Sequence, residues 1–311
     1  MASFLHNLYL AAPLYILVLV GFAIARWRKW PKSISSALAR FVFTVALPAL
    51  MFIMMSDFSR LPPVDARLLI AYFGGCLLVF LLGRIVGHYL FRLDGVSQSV
   101  FALGGVFSNN VLLGVPLAKS MLGDEAMPSV ALVLVFNALT LWTLVTISVE
   151  WARHGSFSVA GFAKTARNVL TNPIVASILA GALFSTLGQP LPGLIQMPLS
   201  MIGQIAAPLS LVVVGMGLAD YGIRKGWPQS LAICLLKLIL LPLAVWGLAG
   251  ILALPPLETR VVVLLSSLAV GVNVYLMSRQ FNTMESPVAT SMLLSTALSG
   301  VTAPLILSLI G

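Results

Sequence analysis

Charged residues are scarce in this chain: they make up 9% of its 311 residues, whereas soluble globular domains carry about 25%. Hydrophobic residues make up 59% of the sequence, and the mean hydropathy is +1.04. This composition excludes a soluble enzyme, a nucleic-acid-binding protein and a secreted disulfide scaffold, and it indicates an integral membrane protein. Cysteine is also rare, and we expect Cys76 and Cys234, each inside an apolar run, to be packing residues.

Acidic residues and histidines are absent from the centres of the apolar runs. All nine carboxylates lie at the ends of these runs or between them, and the three histidines lie near their ends. The histidines have no metal-ligand spacing, and a serine such as Ser108 has no base in its own run. We therefore expect no enzyme activity, no cofactor, no metal site and no buried carboxylate pair for a proton relay or a cation cage.

Long apolar runs dominate what is present. A helix needs about 20 apolar residues to cross the bilayer core, and these runs are too long for barrel strands. The first run has no basic residues before it and is predicted to be a retained span rather than a signal peptide. Ten membrane helices are predicted, near 8–26, 35–55, 66–90, 98–121, 127–151, 169–188, 195–221, 228–253, 260–280 and 286–310.

The distribution of Lys and Arg predicts the orientation of these spans, because basic residues collect on cytoplasmic loops. The odd-numbered loops hold eleven of them and the even-numbered loops hold four. We therefore expect cytoplasmic odd loops and both termini outside. The eleven are Arg26, Arg28, Lys29, Lys32, Arg92, Arg153, Lys164, Arg167, Arg224, Lys225 and Arg279, and the four are Arg60, Arg67, Lys119 and Arg260.

The two halves of the chain resemble each other at an offset of about 160 positions. The matched pairs are Pro13 with Pro173, Gly21 with Gly181, Pro48 with Pro208 and, at one residue less, Pro128 with Pro287. Each half holds five predicted spans, and an odd number makes the second copy enter the membrane from the other side. The prediction is an all-α membrane protein of two inverted five-helix repeats, residues 1–155 and 160–311, which is a recurrent transporter design. Coincidence of composition is the alternative.

Two stretches in matching positions, 104–116 in the fourth span and 266–275 in the ninth, combine glycines with polar residues. Proline removes a hydrogen-bond donor, and glycine and asparagine tolerate non-helical backbone, so both stretches are predicted to unwind at mid-depth. Inverted-repeat transporters bind substrate at such breaks, and helix N-termini attract anions. A packing kink is the alternative. The candidate substrate-binding residues are Ser108, Asn109, Asn110, Gly114, Pro116, Ser267, Gly271, Asn273 and Tyr275.

Lys237 is the most central basic residue of the predicted spans. A lysine at the bilayer centre costs about 2.5–3.5 kcal/mol on insertion scales, so it is a functional candidate. It either neutralises an anionic substrate or hydrogen-bonds the carbonyls of a broken helix, unless it snorkels to the interface. Asn137 in the fifth span is a further candidate, although a polar group there can simply join helices. Ser177 and Gly181 mark either a contact within one subunit or a dimer face.

Several strings resemble the bacterial members of the auxin efflux carrier family over essentially the whole chain. They are Ala46-Leu47-Pro48-Ala49, Leu236 to Leu243 around Lys237, Ser108-Asn109-Asn110 with Gly114, and Arg279-Gln280-Phe281. The resemblance implies ten helices in a bacterial inner membrane, a scaffold and a transport domain, and broken helices four and nine that cross as in bile acid sodium symporters. It also implies secondary transport of small organic anions, with malonate or a similar carboxylate as the bacterial substrate.

The sequence also differs from the family pattern at two places. The stretch from Trp151 to Asn168 replaces the long hydrophilic loop of plant members, and the ninth-span break contains no proline. The expected function is a permease for small carboxylates that works by alternating access. Alternatives are a sodium-coupled organic anion symporter, for which no intramembrane acidic residue is found, a non-transporting sensor and a channel. Proton or sodium coupling, substrate, direction and a homodimer stay open.

Overall fold

The computed structural model describes residues 2–27, 30–57, 64–154, 167, 171–219 and 226–310. Every regular element in these ranges is helical. The α-helices, in chain order, are α1 Ala2–Trp27, α2 Lys32–Phe41, α3 Leu47–Ser56, α4 Arg67–Tyr89, α5 Gly95–Gly104, α6 Val115–Leu122, α7 Met127–His154, α8 Pro173–Ser185, α9 Gly193–Leu218, α10 Trp227–Leu235, α11 Leu241–Ile251, α12 Pro256–Ser266, α13 Val272–Gln280 and α14 Glu285–Ile310.

Among the described residues, six continuous helical segments are long and apolar enough to cross a membrane, which fits a multi-pass integral membrane protein. They are Phe4–Trp27, Ser33–Ser56, Arg67–Tyr89, Gly193–Leu218, Trp227–Ile251 and Glu285–Ile310. The predicted sixth span, most of the predicted short loop after Trp151 and several of the basic residues used for orientation lie partly or wholly outside the described residues.

Three π-helical turns, Val42–Ala46, Asn110–Gly114 and Leu236–Leu240, each end two residues before a proline. A proline ring clashes with the carbonyl four residues earlier and supplies no N–H to it, so the helix widens locally. The freed carbonyl can then take another donor. Leu112 O, four residues before Pro116, accepts the Ser210 hydroxyl at 3.0 Å.

The helices form two bundles. The small bundle contains α1, α2, α3, α8 and α9, and its most extensive contacts are α1 with α9 and α3 with α8. The large bundle contains α4 to α7 and α10 to α14, and it is held by contacts such as α4 with α5 and α11. The main contact between the bundles is α1 with α14, where the Tyr15 and Ser299 hydroxyls lie 2.9 Å apart.

Glycines allow the closest helix contacts, and these lie within each bundle. In the small bundle, a Cβ on Gly21 would stand 2.1 Å from Val212 O, and one on Gly181 would stand 2.6 Å from Phe52 O. Gly21 and Gly181 are 160 positions apart, and so are Phe52 and Val212. The two contacts are therefore related to each other by an offset of 160 positions. Gly181 accordingly serves a contact within the chain.

Asp94 precedes the fourth predicted span and caps the helix that forms its first half. As the N-cap of α5, its carboxylate accepts the N–H groups of Val96 and Ser97 at 3.0 and 3.1 Å and the Ser97 hydroxyl at 2.6 Å. These bonds, first that of the Ser97 hydroxyl, hold the pKa of Asp94 below its usual range. The cap fixes where the helix that leads to the candidate site starts.

Candidate functional site

The fourth predicted span is broken, as expected. Helix α5 ends at Gly104, and helical structure resumes only with the π turn at Asn110, which continues into α6. Pro116 follows this π turn inside the continuous helix, and its missing N–H leaves Leu112 O free to accept the Ser210 hydroxyl. The chain between Gly105 and Asn109 therefore has backbone groups free to bond elsewhere.

The ninth predicted span is broken as well, although it contains no proline. Helix α12 ends at Ser266 and α13 begins at Val272, with Gly271 in an extended conformation before it. The Val270 N–H donates to Ser295 Oγ at 3.0 Å, so a side chain from α14 takes up one of the freed groups. External hydrogen bonds thus hold a break that the sequence marks only with glycine and asparagine.

The two breaks bond directly to each other. Ser108 and Val270 form an antiparallel bridge: the Asn109 N–H donates to Ala269 O at 2.9 Å, and the Gly271 N–H donates to Phe107 O at 2.8 Å. The approach is close, since a Cβ on Gly271 would lie 3.0 Å from Ser108 O. The two unwound segments satisfy each other's backbone, as buried polar groups require.

Two helix N-termini meet beside this bridge. One starts at Asn110 and the other at Val272, each within two residues of the paired backbone. The first N–H groups of a helix lack intrahelical acceptors, and the helix dipole gives this end a partial positive charge. Both ends border one cavity of about 120 Å³. The arrangement provides donors and positive potential for an anion without a charged side chain.

Asparagines dominate the polar lining of this cavity, which we call the amide cavity. Its lining residues in the described part of the chain include no charged side chain. They are Phe43, Phe107, Ser108, Asn109, Asn110, Val111, Leu112, Leu134, Asn137, Asn172, Ile174, Val175, Gly271, Val272 and Asn273.

A hydrogen-bond network orients one of these amides. Asn110 Nδ2 donates to the Tyr72 hydroxyl at 2.8 Å and to Asn137 Oδ1 at 3.4 Å. The Tyr72 hydroxyl in turn donates to Ser108 Oγ at 3.5 Å. Residues from α4, the break and α7 are thereby joined. Asn110 is 1% exposed, and its side chain is held in place from two other elements, α4 and α7.

A second, larger and more apolar cavity of about 400 Å³ also adjoins the break. It shares Phe43, Asn109, Leu112 and Val272 with the amide cavity. It extends to Ser35 and Ser36 on α2 and to Gly217 on α9. The sequence predicts that this end of both helices is cytoplasmic.

Lys237, in the eighth predicted span, contacts the break of the ninth span rather than the amide cavity. It is fully buried, and its Nζ donates to Ser266 O at 2.5 Å. Ser266 ends α12, where carbonyls lack intrahelical donors. In the other half of the chain, Cys76, 161 positions earlier, has its Sγ 4.0 Å from Val106 O. In each half of the chain, a side chain from a neighbouring span therefore contacts the backbone of the broken helix.

The structure brings some predicted site residues together and separates others from them. Ser108, Asn109, Asn110, Gly271, Asn273 and Asn137 line the amide cavity. Gly114, Pro116, Ser267 and Tyr275 do not belong to that lining. Gly114 packs against Leu265 and Leu268, and the Ser267 hydroxyl donates to Leu264 O within α12.

Sequence reasoning missed Tyr72 and Asn172. Tyr72 lies inside an apolar run with no polar neighbour to mark it. Asn172 precedes Pro173, which signals a helix start, and its side chain does cap α8 by accepting the Ile174 N–H at 2.9 Å. Nothing in the local sequence showed that this cap also borders a cavity.

Metal-ligating clusters of His, Cys, Asp and Glu are absent from the residues that the structure describes. The two cysteines are free and buried, as expected for packing residues. Cys234 Sγ contacts Ser291 O at 3.6 Å. The polar chemistry of the site therefore rests on amides, hydroxyls and backbone.

Comparison with known proteins gives one consistent result. The family model described as "Membrane transport protein" matches residues 8–307. A Rhizobium meliloti protein named "Putative malonate transporter" is 28% identical over 97% of this chain and 95% of its own length. A Methanocaldococcus jannaschii protein, named as an uncharacterized transporter, is 23% identical over 91% of this chain and 92% of its own. The resemblance to auxin efflux carriers is confirmed, and the chain belongs to this membrane transport protein family, whose named relatives are transporters rather than enzymes.

Proposed function

We propose that this protein is a secondary-active carrier of small organic anions, most simply carboxylates, and that it works by alternating access. The single observation that carries the proposal is the meeting of two helix N-termini at one cavity lined by uncharged amides. Such ends favour an anion through their free N–H groups and dipoles. Because none of the described residues that line the cavity is a cation, the anion can leave again, as a carrier requires.

In this proposal the architecture is ten spans in two inverted repeats, residues 1–155 and 160–311. Two sets of contacts support it. The Gly21–Val212 and Gly181–Phe52 contacts exchange under an offset of 160. The bridge between the breaks pairs Ser108 with Val270, which are 162 positions apart, close to the same offset. Reciprocal contacts of this kind are what a two-fold relation between halves produces.

Alternating access then takes the form of a movement of the large bundle, as transport domain, against the small bundle, as scaffold. The backbone contacts made through glycines lie within each bundle, whereas Gly300 of α14 meets only the Tyr15 side chain of α1. Side chains slide past one another more readily than interlocked backbones do. The larger cavity supports an inward-facing state, because it extends toward the predicted cytoplasmic side.

The residues divide into three roles. Ser108, Asn109, Asn110, Gly271 and Asn273 bind the substrate, with Asn137 holding Asn110. Lys237 supports the break through Ser266 O, and Gly114, Pro116, Ser267 and Tyr275 maintain its shape. We place the protein in the bacterial inner membrane with both termini outside. The coupling ion, proton or sodium, and a homodimer are for experiment to decide.

The test is uptake of labelled mono- and dicarboxylates into proteoliposomes, with and without an imposed proton or sodium gradient. We expect saturable flux of at least one acid, and loss of that flux in Asn109→Ala and Asn273→Ala while both variants insert normally. Asn7→Ala, on α1 and outside the amide cavity, is the control. Normal transport in both site variants would refute the site; ligand binding without uptake would indicate a sensor, and non-saturating flux a channel.

A further inference from the structure

A further cavity, of about 330 Å³, lies between the two bundles, and we call it the outer cavity. The small bundle contributes residues of α3 and α9 to its lining, and the large bundle contributes the end of α6 and the turn after it. The sequence predicts that these parts of the helices are on the outer side of the membrane. Charged groups stand at the helix ends: Asp57 follows α3, and Lys119 of α6 pairs with Asp124 at 3.4 Å.

The outer cavity extends from these charged groups toward the middle of the membrane. Leu50, also in its lining, lies seven residues before Asp57, which is about 10 Å along a helix. On α9, Gln204 is the twelfth of 26 residues, so it lies near the middle of a helix long enough to span the membrane. An exposed amide at this depth is unfavourable in lipid, because its donors and its acceptor lose water. A water-filled cavity gives the Gln204 side chain the polar surroundings that it needs.

The outer cavity is related by sequence to the cavity of about 400 Å³ on the predicted cytoplasmic side, which we call the inner cavity. Three residues at the end of α3 that line the outer cavity have counterparts, 160 positions later, that line the inner cavity. In the opposite sense, Gly203 of α9 lines the outer cavity and Phe43, 160 positions earlier, lines the inner cavity. The three are Ile53, Met54 and Asp57, and their counterparts on α9 are Val213, Val214 and Gly217.

A carrier built of inverted repeats alternates between two open states that are related by exchange of its halves, so the route of one state has a counterpart in the other. In this structure Asn109 of the fourth-span break borders the inner cavity, whereas the described lining of the outer cavity includes no residue of either break. Ser210, which bonds to Leu112 O beside that break, lies six residues after Gln204, about 9 Å along α9. A shift of the large bundle by about 9 Å would bring the break level with Gln204.

We infer that the outer cavity is the route between the binding site and the predicted outer side, and that the Gln204 amide contacts the substrate on this route. The inference rests on the proposed function, because it treats the two cavities as the two ports of one carrier. Gln204 Nε2 can donate to a carboxylate oxygen. The other side-chain donors of the described lining, Lys119 and Ser200, already contact Asp124 and Met197 O.

The first test needs no knowledge of the substrate. A membrane-impermeant maleimide is added to the outer face of bacterial spheroplasts that contain the full-length protein with Gln204→Cys. Ile205→Cys is the matched control, because Ile205 is the next residue of α9, is exposed, and lies outside the lining of both cavities. We expect Gln204→Cys to react at least about 10-fold faster, since a thiol in lipid forms little thiolate. Cys76 and Cys234 are buried, so the unaltered protein gives the background.

The second test measures the substrate contact with an acid that the unaltered protein transports. Gln204→Leu has a similar size and no donor, so the KM for uptake from the outer side should rise by at least about 10-fold, as for a lost hydrogen bond to a charged group. Ile205→Leu should keep the KM of the unaltered protein. Should Gln204→Leu fail to insert, Gln204→Cys replaces it, since its labelling already reports insertion.

The results distinguish a failure of the inference from a failure of the proposed function. Saturable flux of an acid, with Gln204→Cys labelled no faster than Ile205→Cys, would refute the outer route and leave the carrier function standing. Rapid labelling with an unchanged KM in Gln204→Leu would show that Gln204 does not contact the substrate. Absence of flux for every acid in the carboxylate panel would refute the proposed function and, with it, the substrate contact.

Discussion

At the scale of single residues, the two halves of the chain treat their broken helices differently. Lys237 places a cationic group 2.5 Å from Ser266 O, whereas Cys76 places a thiol 4.0 Å from Val106 O. A buried lysine is costly in a membrane protein unless oxygen acceptors compensate for lost water. The carbonyl end of α12 is such an acceptor, and its partial negative charge favours a cation. Lys237 thus has a local electrostatic reason to lie there.

Lys237→Met tests this role. Methionine has a similar length and no donor, so Ser266 O loses its bond and the end of α12 loses its compensating group. A buried acceptor left without a donor costs about 1–3 kcal/mol, and a displaced break should reduce uptake by at least about 10-fold. Uptake into proteoliposomes and thermal stability in detergent measure the two effects.

The matched control is Lys119→Met. Lys119 lies near the end of α6, is partly exposed and pairs with Asp124 at 3.4 Å. Exposed ion pairs contribute about 0–1 kcal/mol, so both uptake and stability should stay close to those of the unaltered protein. Wild-type uptake by Lys237→Met would contradict a supporting role for the lysine.

At the scale of elements, the close contact between the two breaks depends on one glycine. Gly271 has a φ of −75°, which other residues can adopt, so its backbone does not require glycine. The surrounding atoms do require glycine, because an added Cβ would lie 3.0 Å from Ser108 O and 3.1 Å from the Phe107 ring. The Gly271 N–H bond to Phe107 O would have to lengthen to make room.

Gly271→Ala should therefore separate the two breaks. We expect a loss of about 1–3 kcal/mol in stability, as for other overpacked sites, and a larger proportional loss of substrate affinity because Asn109 and Asn273 move with the backbone. Binding affinity and the melting temperature in detergent are the measurements. Gly247→Ala is the control: it lies in α11 with open space around its position and should leave affinity unchanged. Equal affinity in the two variants would contradict the close contact between Gly271 and the other break.

The sequence predicted local features of these elements better than their partners. The position of Lys237 within an apolar run showed that it would be deep, and Gly104 to Pro116 showed where a helix would break. The acceptor of Lys237 lies 29 positions away on another helix, and Tyr72 reaches Asn110 across 38 positions. Such pairings depend on helix packing, which single-residue patterns do not encode. In the same way, the sequence indicates that Asn172 caps a helix but does not show that it also borders the amide cavity.

At the scale of the whole molecule, the helix contacts within the small bundle differ in kind from those between the two bundles. Glycines bring backbone against backbone within the small bundle, between α1 and α9 and between α8 and α3. Across the two bundles, the contact of α1 with α14 relies on side chains such as Tyr15 and Ser299. A carrier needs bodies that keep their shape while their mutual arrangement changes. This distribution of contacts suits that requirement.

Gly21→Ala and Gly181→Ala test the small bundle as one body with matched halves. Their Cβ atoms would meet the backbone carbonyls of Val212 and Phe52 at 2.1 and 2.6 Å, which helices can relieve only by moving apart. We expect each variant to lose about 1–3 kcal/mol, measured as a lower melting temperature in detergent. Gly250→Ala, with nothing near its position, should not lose stability. Since the two contacts correspond at an offset of 160, a loss in one variant and none in the other would contradict their equivalence.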